Sequence, residues 1–203
     1  MKLAPLIAIL LVLGACAPHA VPSFGYKPEA VAGITRARCI EILGKPQDSQ
    51  PFSMPGTNLA AEAMTYQFGQ VLVQNGIVVA VSINNDPAFV GPFGIKLGMS
   101  EDDLRSALAH HGHHAGHVEL YDAIGRQSDT RTKDIYDDTD HMMIELTATN
   151  ANDPLAPFNV AQVTLANHPG MILIEAFTKA RIAGLYPDVH VDNFVSNAWQ
   201  IGR

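Results

Sequence analysis

The stretch VLVQNGIVVAVSI (residues 71–83) decides how the first half of this chain folds. Two apolar runs rich in β-branched residues flank Asn75 and Gly76, and an Asn-Gly pair in that setting is the strongest short-range signal of a β-hairpin. The segment MTYQF (64–68) precedes the hairpin and has the same strand-like composition. We therefore predict a strand followed by an antiparallel hairpin over residues 64–83.

A short helix is predicted before these strands, in GITRARCIEILGKP (33–46). Thr35 is an N-cap candidate, and Gly44 followed by Pro46 is typical of a helix end. Cys39 falls on the apolar stripe of this helix, whereas a nucleophilic cysteine needs an activating environment and a nearby histidine. We therefore interpret Cys39 as a buried core thiol.

The same order of signals recurs later in the chain. GMSEDDLRSALAHHG (98–112) predicts a helix with Ser100 as its N-cap and Asp103 in the place of a capping-box acid. MMIELTAT (142–149) and NVAQVTLA (159–166) then predict two strands joined by a longer loop.

These parallels predict an α+β fold of two tandem helix-plus-antiparallel-sheet repeats. We place the first repeat at residues 33–92 and the second at residues 93–170. The closing strands support this division, since VSINNDP (81–87) and VTLANHP (163–169) end alike. Residues 171–203 form a C-terminal segment, whose beginning the pattern leaves open between a helix and a strand.

The first residues predict an exported lipoprotein. An apolar run from Leu6 to Leu13 is too short to span a bilayer and ends in the sequence LGAC. On this interpretation residues 1–15 are a signal peptide and Cys16 carries the lipid, while an ordinary signal peptide cleaved nearby is the alternative. Residues 16–32 are predicted to be a tether, and the mature chain is expected to face the periplasm from the outer membrane.

The composition is that of a folded acidic protein. The chain has 203 residues, of which 47% are hydrophobic, and a formal charge of −7 from 13 basic and 20 acidic residues. This balance excludes the basic stripe that binding to a nucleic acid requires. The only cysteines are Cys16 and Cys39, so a lipidated chain has no pair left for an internal disulfide.

Residues 33–46, together with the strands after them, resemble a known family. The pattern G-I-T-x-x-x-C-x-x-x-L-G-x-P, the aromatic residue Tyr66 and the Asn-Gly hairpin are similar to small outer-membrane lipoproteins of the SmpA/OmlA (BamE-like) type. The tandem arrangement resembles that of the β-lactamase inhibitory protein. The likeness covers residues 33–84 well and 98–166 loosely.

This resemblance implies an α+β fold with a small antiparallel sheet, no enzyme activity and a protein-binding role in the cell envelope. Two features depart from the pattern. The SmpA/OmlA lipoproteins have one such unit where this chain has two, and the inhibitor relies on disulfides that this chain lacks. The only functional residue that the resemblance transfers is the lipid-bearing Cys16.

The stretch HHGHHAGH (110–117) holds five of the nine histidines. Imidazole nitrogens bind Zn²⁺, Cu²⁺ and Ni²⁺, and a site needs two to four such rings to converge. One hypothesis is a metal site; the other is a solvated loop that binds metal weakly and without biological meaning. The candidate ligands are His110, His111, His113, His114 and His117.

Acidic residues are concentrated in DIYDDTDH (134–141). They lack the glycine turn and the distant glutamate of an EF-hand loop, so we predict a charged loop and not a calcium site. His141, at the end of this run, is a further ligand that could assist the HHGHHAGH stretch.

The longest insertion of the second predicted repeat is YDAIGRQSDTRTKDIYDD (121–138). Tyrosine and arginine are enriched among the residues that dominate protein interfaces. We therefore predict that this segment contacts a partner, although a surface loop without a partner is the alternative. The candidate contact residues are Tyr121, Arg126, Arg131 and Tyr136.

No motif for nucleophilic, metal-dependent or nucleotide-dependent catalysis occurs in the sequence. The sequence therefore predicts a non-catalytic outer-membrane lipoprotein that binds another protein of the cell envelope. A periplasmic metal-binding protein that uses residues 110–117 is the first alternative. An inhibitor of an envelope or secreted enzyme is the second.

Overall fold

A computed structural model describes residues 31–53, 60–112, 116–121, 131–137, 140–150, 152–153 and 155–185. For residues 52–53, 116–121, 131 and 177–185 it describes the backbone alone. The helices are α1 (Arg36–Leu43), α2 (Glu101–His110) and α3 (His168–Leu185). The strands are β1 (Asp48–Ser53), β2 (Ala60–Tyr66), β3 (Gly69–Gln74), β4 (Ile77–Ile83), β5 (Gly116–Tyr121), β6 (Arg131–Asp137), β7 (Met142–Ala148) and β8 (Phe158–Ala166).

The eight strands form one antiparallel sheet in the order β1-β2-β3-β4-β8-β7-β6-β5. Its centre is the pairing of β4 with β8, which runs from Ala80 opposite Ala166 to Ile83 opposite Val163. The hydroxyl groups of Ser82 and Thr164 form a 2.8 Å hydrogen bond across this pairing. Strands β1 and β5 are the two edges of the sheet.

The predicted division into two tandem helix-plus-sheet repeats is therefore wrong, because the strands do not form two sheets. If each half formed its own small sheet, its last strand would be an edge with unpaired backbone N–H and C=O groups. Pairing with another strand provides hydrogen-bond partners for these groups. Strands β4 and β8 satisfy each other and produce one sheet of eight. This pairing joins residues about 80 positions apart, so no local pattern reveals it.

Three strands were also missed by the sequence analysis. Strand β1 contains Pro51, and strand β6, RTKDIYD, is rich in charge, so both resemble loops when read locally. Strand β5 contains His117, which the pattern assigned to a histidine-rich loop. The predicted hairpin at Asn75 and Gly76 is confirmed, with β3 and β4 on its two sides.

Helices α1 and α2 begin as predicted. The Thr35 hydroxyl accepts a hydrogen bond from the Arg38 amide at 3.2 Å, and the Ser100 hydroxyl accepts one from the Asp103 amide at 3.2 Å. Each N-cap residue also forms an isolated bridge to the sheet, Thr35 with Ile77 and Ser100 with Asn159. Caps and bridges together fix the first turn of each helix against the sheet.

The main hydrophobic core includes the apolar faces of α1 and α2 and one face of the sheet. Cys39 and Leu104 are fully buried at its centre, among side chains from both halves of the sheet. A smaller core between the other face and α3 contains Ala80, Tyr136, Met143, Met171 and Ile174. The molecule thus has helices on both faces of a single sheet.

Helix α3 resolves the choice that the sequence left open after residue 170. The Asn167 side-chain oxygen accepts a hydrogen bond from the Gly170 amide at 3.0 Å, and the Asn167 amide donates to the Val79 carbonyl at 3.0 Å. These bonds start α3 directly on strand β4. Among the described residues, no helix is both long and apolar enough to cross a bilayer.

Candidate functional site: the β5–β6 hairpin and its surroundings

The structure places two of the predicted contact residues side by side. Tyr121 is the last residue of β5 and lies opposite Arg131, the first residue of β6. Arg126 belongs to the segment 122–130 that joins these strands, which lies outside the described residues. The backbone thus brings Tyr121 and Arg131 to one end of a hairpin at the edge of the sheet.

Tyr136, the fourth predicted contact residue, is not on the surface. It is 4% exposed and packs with Met143, Met171 and Ile174 beneath α3. Its burial follows from the alternation of β6, since a residue on this face of the strand points towards α3. We therefore remove Tyr136 from the set of contact residues.

The predicted histidine cluster is only partly described. His110 is the last residue of α2 and His111 follows it; both are exposed, with ring centroids 5.5 Å apart. The ring of His111 also lies 4.8 Å from that of Phe93. His113 and His114 lie outside the described residues, and His117 is placed by its backbone in β5 opposite Ile135. Within the described part of the chain, no three potential metal ligands come together.

The acidic run is a strand and a turn, so the predicted charged loop at residues 134–141 is wrong. Asp134 and Asp137 belong to β6 and are 1% and 3% exposed. Asp140 lies in the following turn, and its amide donates a hydrogen bond to the Asp137 carboxylate at 3.2 Å. Asp137 therefore acts as the acceptor that closes the β6–β7 turn.

A buried charge cluster, absent from the sequence predictions, joins α2 to β6. Lys133 is 8% exposed and donates to both carboxylate oxygens of Glu101, at 3.0 and 3.2 Å. Arg105 binds the same carboxylate at 2.7 Å, and the Lys133 ammonium lies 4.5 Å from the centre of the Phe158 ring. Burial raises the pKa of Glu101, but the hydrogen bonds from Arg105 and Lys133 outweigh it and hold that pKa below its usual value.

A second charge cluster joins α1 to β2. Arg36 makes a two-pronged contact with Glu62, with both nitrogen–oxygen distances at 2.7 Å, and the Ser49 hydroxyl donates to the same carboxylate. The signs are reversed relative to the first cluster, because here the helix supplies the cation and the sheet the anion. Beside Glu62 lies an open cleft of about 450 Å³, which Val73 and Asn75 also line.

We expect Glu62→Gln to lower stability by about 0.5–1 kcal/mol at neutral pH, because the Arg36 contact is partly exposed to solvent. Hydrogen bonds from Arg36 and Ser49 lower the pKa of Glu62 from 4.5 to about 2. A lowered carboxyl pKa contributes stability above pH 4.5 that is lost as the pH falls towards 2. Urea denaturation from pH 7 to pH 2 should therefore show the difference between wild type and variant shrinking below pH 4.5. A difference that stayed constant over this range would contradict the assignment.

Cys39 is a core thiol, as predicted. It is fully buried, and burial raises the pKa of the thiol, which keeps it in the unreactive neutral form. Its neighbour Tyr66 donates a hydrogen bond to the Gly44 carbonyl at 3.2 Å. This contact ties the end of α1 to β2, so both residues contribute to the packing of α1 against the sheet.

Comparisons with known proteins place this chain in no family. No family model matches the sequence, and no curated protein matches it. A solved structure that resembles the chain is an extracellular protein containing a SCP domain from Bacillus anthracis str. Ames, with a TM-score of 0.41 and 11% sequence identity. The similarity covers 71% of this chain and 46% of the other, so the chain spans about half the length of that protein.

Proposed function

We propose that this protein is a membrane-anchored lipoprotein of the cell envelope that binds another envelope protein through the end of its β5–β6 hairpin. The carrying observation is the register of this hairpin, in which Tyr121 lies directly opposite Arg131. Arg126 lies between them in sequence. Two residues of the types that dominate protein interfaces, Tyr121 and Arg131, therefore lie at one hairpin end at an edge of the sheet, and a third belongs to the segment that connects them in sequence.

A comparison of the two edge strands favours β5 over β1 as the binding edge. Edge strands attract additional strands unless they are protected, and a proline is one common form of protection. Strand β1 carries Pro51 within its six residues, whereas β5, GHVELY, has neither proline nor lysine. An envelope protein that adds a strand or packs aromatic residues at this edge fits the proposal.

Site-specific photocrosslinking in intact cells tests this proposal. A photoreactive amino acid is introduced in place of Tyr121 or Arg126, and, as the matched control, in place of Gln50 on edge strand β1. We expect a discrete crosslinked protein from the first two positions and none from Gln50. Identical products from both edges, or no product from the β5–β6 hairpin, would overturn the proposal.

The membrane anchor is tested separately by Cys16→Ser. Because the signal sequence ends in LGAC, removal of the Cys16 thiol removes the attachment point of the lipid. We expect the protein to move from the membrane fraction to the soluble periplasmic fraction, and its palmitate labelling to disappear. Cys39→Ser, which changes the buried thiol, serves as the control and should stay in the membrane fraction. Retention of Cys16→Ser in the membrane would contradict lipid anchoring at this residue.

A further inference from the structure

The excess of negative over positive charge in this protein comes from one part of the sequence. Residues 134–178 contain seven acidic residues and neither lysine nor arginine. The rest of the chain has thirteen acidic and thirteen basic residues, so this stretch accounts for the whole formal charge of −7. It builds most of β6, the strands β7 and β8 and the first half of α3. A local excess of carboxylates raises the local concentration of cations.

Two histidines of this acidic stretch meet in the fold. His141 lies in the turn between β6 and β7, and His168 is the first residue of α3. Their ring centroids are 6.2 Å apart, with an angle of 63° between the ring planes. His168 is exposed and His141 is half-buried, so solvent reaches the pair.

The backbone holds both histidines in place. His141 has a positive φ of 51°, and its carbonyl accepts a hydrogen bond from the Ala166 amide at 2.9 Å. The turn before it is closed by the Asp140 amide on Asp137. On the other side, Asn167 precedes His168 and is hydrogen-bonded through its amide to the Val79 carbonyl. Both residues are thus anchored to the central strands β4 and β8, which reduces the entropy lost on binding a ligand.

We propose that His141 and His168 form a binding site for a divalent transition-metal ion of the kind that prefers imidazole, such as Cu²⁺. Metal–nitrogen bonds of about 2.0–2.1 Å place two imidazole centroids about 5.2 Å apart at a tetrahedral angle and about 6.4 Å apart when the nitrogens are on opposite sides of the metal. The observed 6.2 Å falls within this range, so the spacing of the two rings fits one bound ion. Water occupies the remaining coordination positions.

The charged groups around His141 and His168 determine whether this pair can bind a cation. The positive end of the α3 dipole disfavours a cation beside His168. The carboxylates of Asp137 and Asp140, in the same turn as His141, oppose this effect, and no lysine or arginine occurs between residues 134 and 178. The site also lies beyond the end of β6 opposite to the proposed contact hairpin, so the two functions are spatially separate.

The test uses the full-length lipidated protein in detergent, with the five histidines of 110–117 replaced by asparagine to remove that stretch as a competing ligand. Cu²⁺ is titrated by calorimetry and followed by electron paramagnetic resonance. We expect one Cu²⁺ ion per chain, with a superhyperfine splitting that corresponds to two imidazole nitrogens. His141→Asn and His168→Asn should each weaken binding by at least about tenfold and remove the splitting of one nitrogen.

Two controls keep the outcome interpretable. His190→Asn makes the same chemical change in the C-terminal segment and should leave the Cu²⁺ affinity unchanged. Asparagine tolerates positive φ, so His141→Asn should retain the fold, which thermal unfolding of the metal-free variant verifies. Unchanged affinity in both the His141 and His168 variants, or an equal loss in the His190 variant, would overturn the assignment.

Discussion

Gly170→Ala is expected to destabilise the protein by about 3 kcal/mol or more, although alanine is the better helix former. A β-carbon at position 170 would lie 2.0 Å from the Val79 carbonyl oxygen and 3.0 Å from the β-carbon of Ala166. Both atoms belong to the central strands, so neither can move aside cheaply. Helix α3 would have to lift from the sheet, which would open the smaller core around Met171 and Ile174.

The sign of this effect separates local propensity from tertiary packing. On propensity alone, Gly170→Ala should stabilise the helix by about 1 kcal/mol. Guanidinium unfolding of the wild type, Gly170→Ala and the control Ile172→Ala measures the difference, since Ile172 lies on the same helical turn but is 46% exposed. We expect a loss for Gly170→Ala that clearly exceeds the loss for Ile172→Ala. A gain in stability for Gly170→Ala would show that α3 does not lie this close to β4.

Glu101→Gln is expected to lower the free energy of unfolding by about 3 kcal/mol, the lower end of the range observed when one partner of a buried ion pair is removed. The Glu101 side chain is 17% exposed and binds two cations, of which Lys133 has only 10% of its side chain exposed. Loss of the carboxylate charge leaves the buried ammonium facing a neutral amide. Because the pKa of Glu101 is lowered, this contribution is present at neutral pH and is lost as the pH falls through that lowered value.

Lys133→Met is the matched control for this prediction. Methionine keeps the apolar stem of the side chain beside Phe158, and Glu101 keeps its contact with Arg105. We expect a cost of about 1 kcal/mol or less, since the remaining pair is partly exposed. Urea denaturation at neutral pH compares both variants with the wild type. Equal losses for Glu101→Gln and Lys133→Met would show that the buried charge is not what makes Glu101 important.

Local signals predicted the elements that local physics determines. The Asn75-Gly76 hairpin and the caps at Thr35 and Ser100 depend on residues within a few positions of one another, and the apolar stripe that marks Cys39 for burial is a local pattern of α1. Each is present in the structure where the pattern predicted it. Strands β1, β5 and β6 were not predicted. Strand β1 contains Pro51 and β6 is rich in charge, so neither has the alternating apolar pattern that identifies strands, and the histidines around β5 made it resemble a loop.

For the candidate sites, too, the local sequence pattern was a poor guide to which side chains come together in the fold. Sequence proximity suggested that the histidines of 110–117 would act together, but of these only the side chains of His110 and His111 are described, and they meet no third ligand in the described residues. His141 and His168 are 27 residues apart and meet only because β7 and β8 pair between them. Tyr136 had the composition of a contact residue, and only the position of α3 shows that it is buried.

The sequence by itself determined the predicted signal for lipidation at Cys16, the acidic character of residues 134–178, the start of each of the first two helices and the central hairpin. These properties depend on residue type or on neighbours within one turn. The tertiary structure alone decided that β4 pairs with β8, that the strands form one sheet and that Glu101 meets Lys133. Such contacts join distant residues, and their free energy comes from burying surfaces that exist only once both partners have folded.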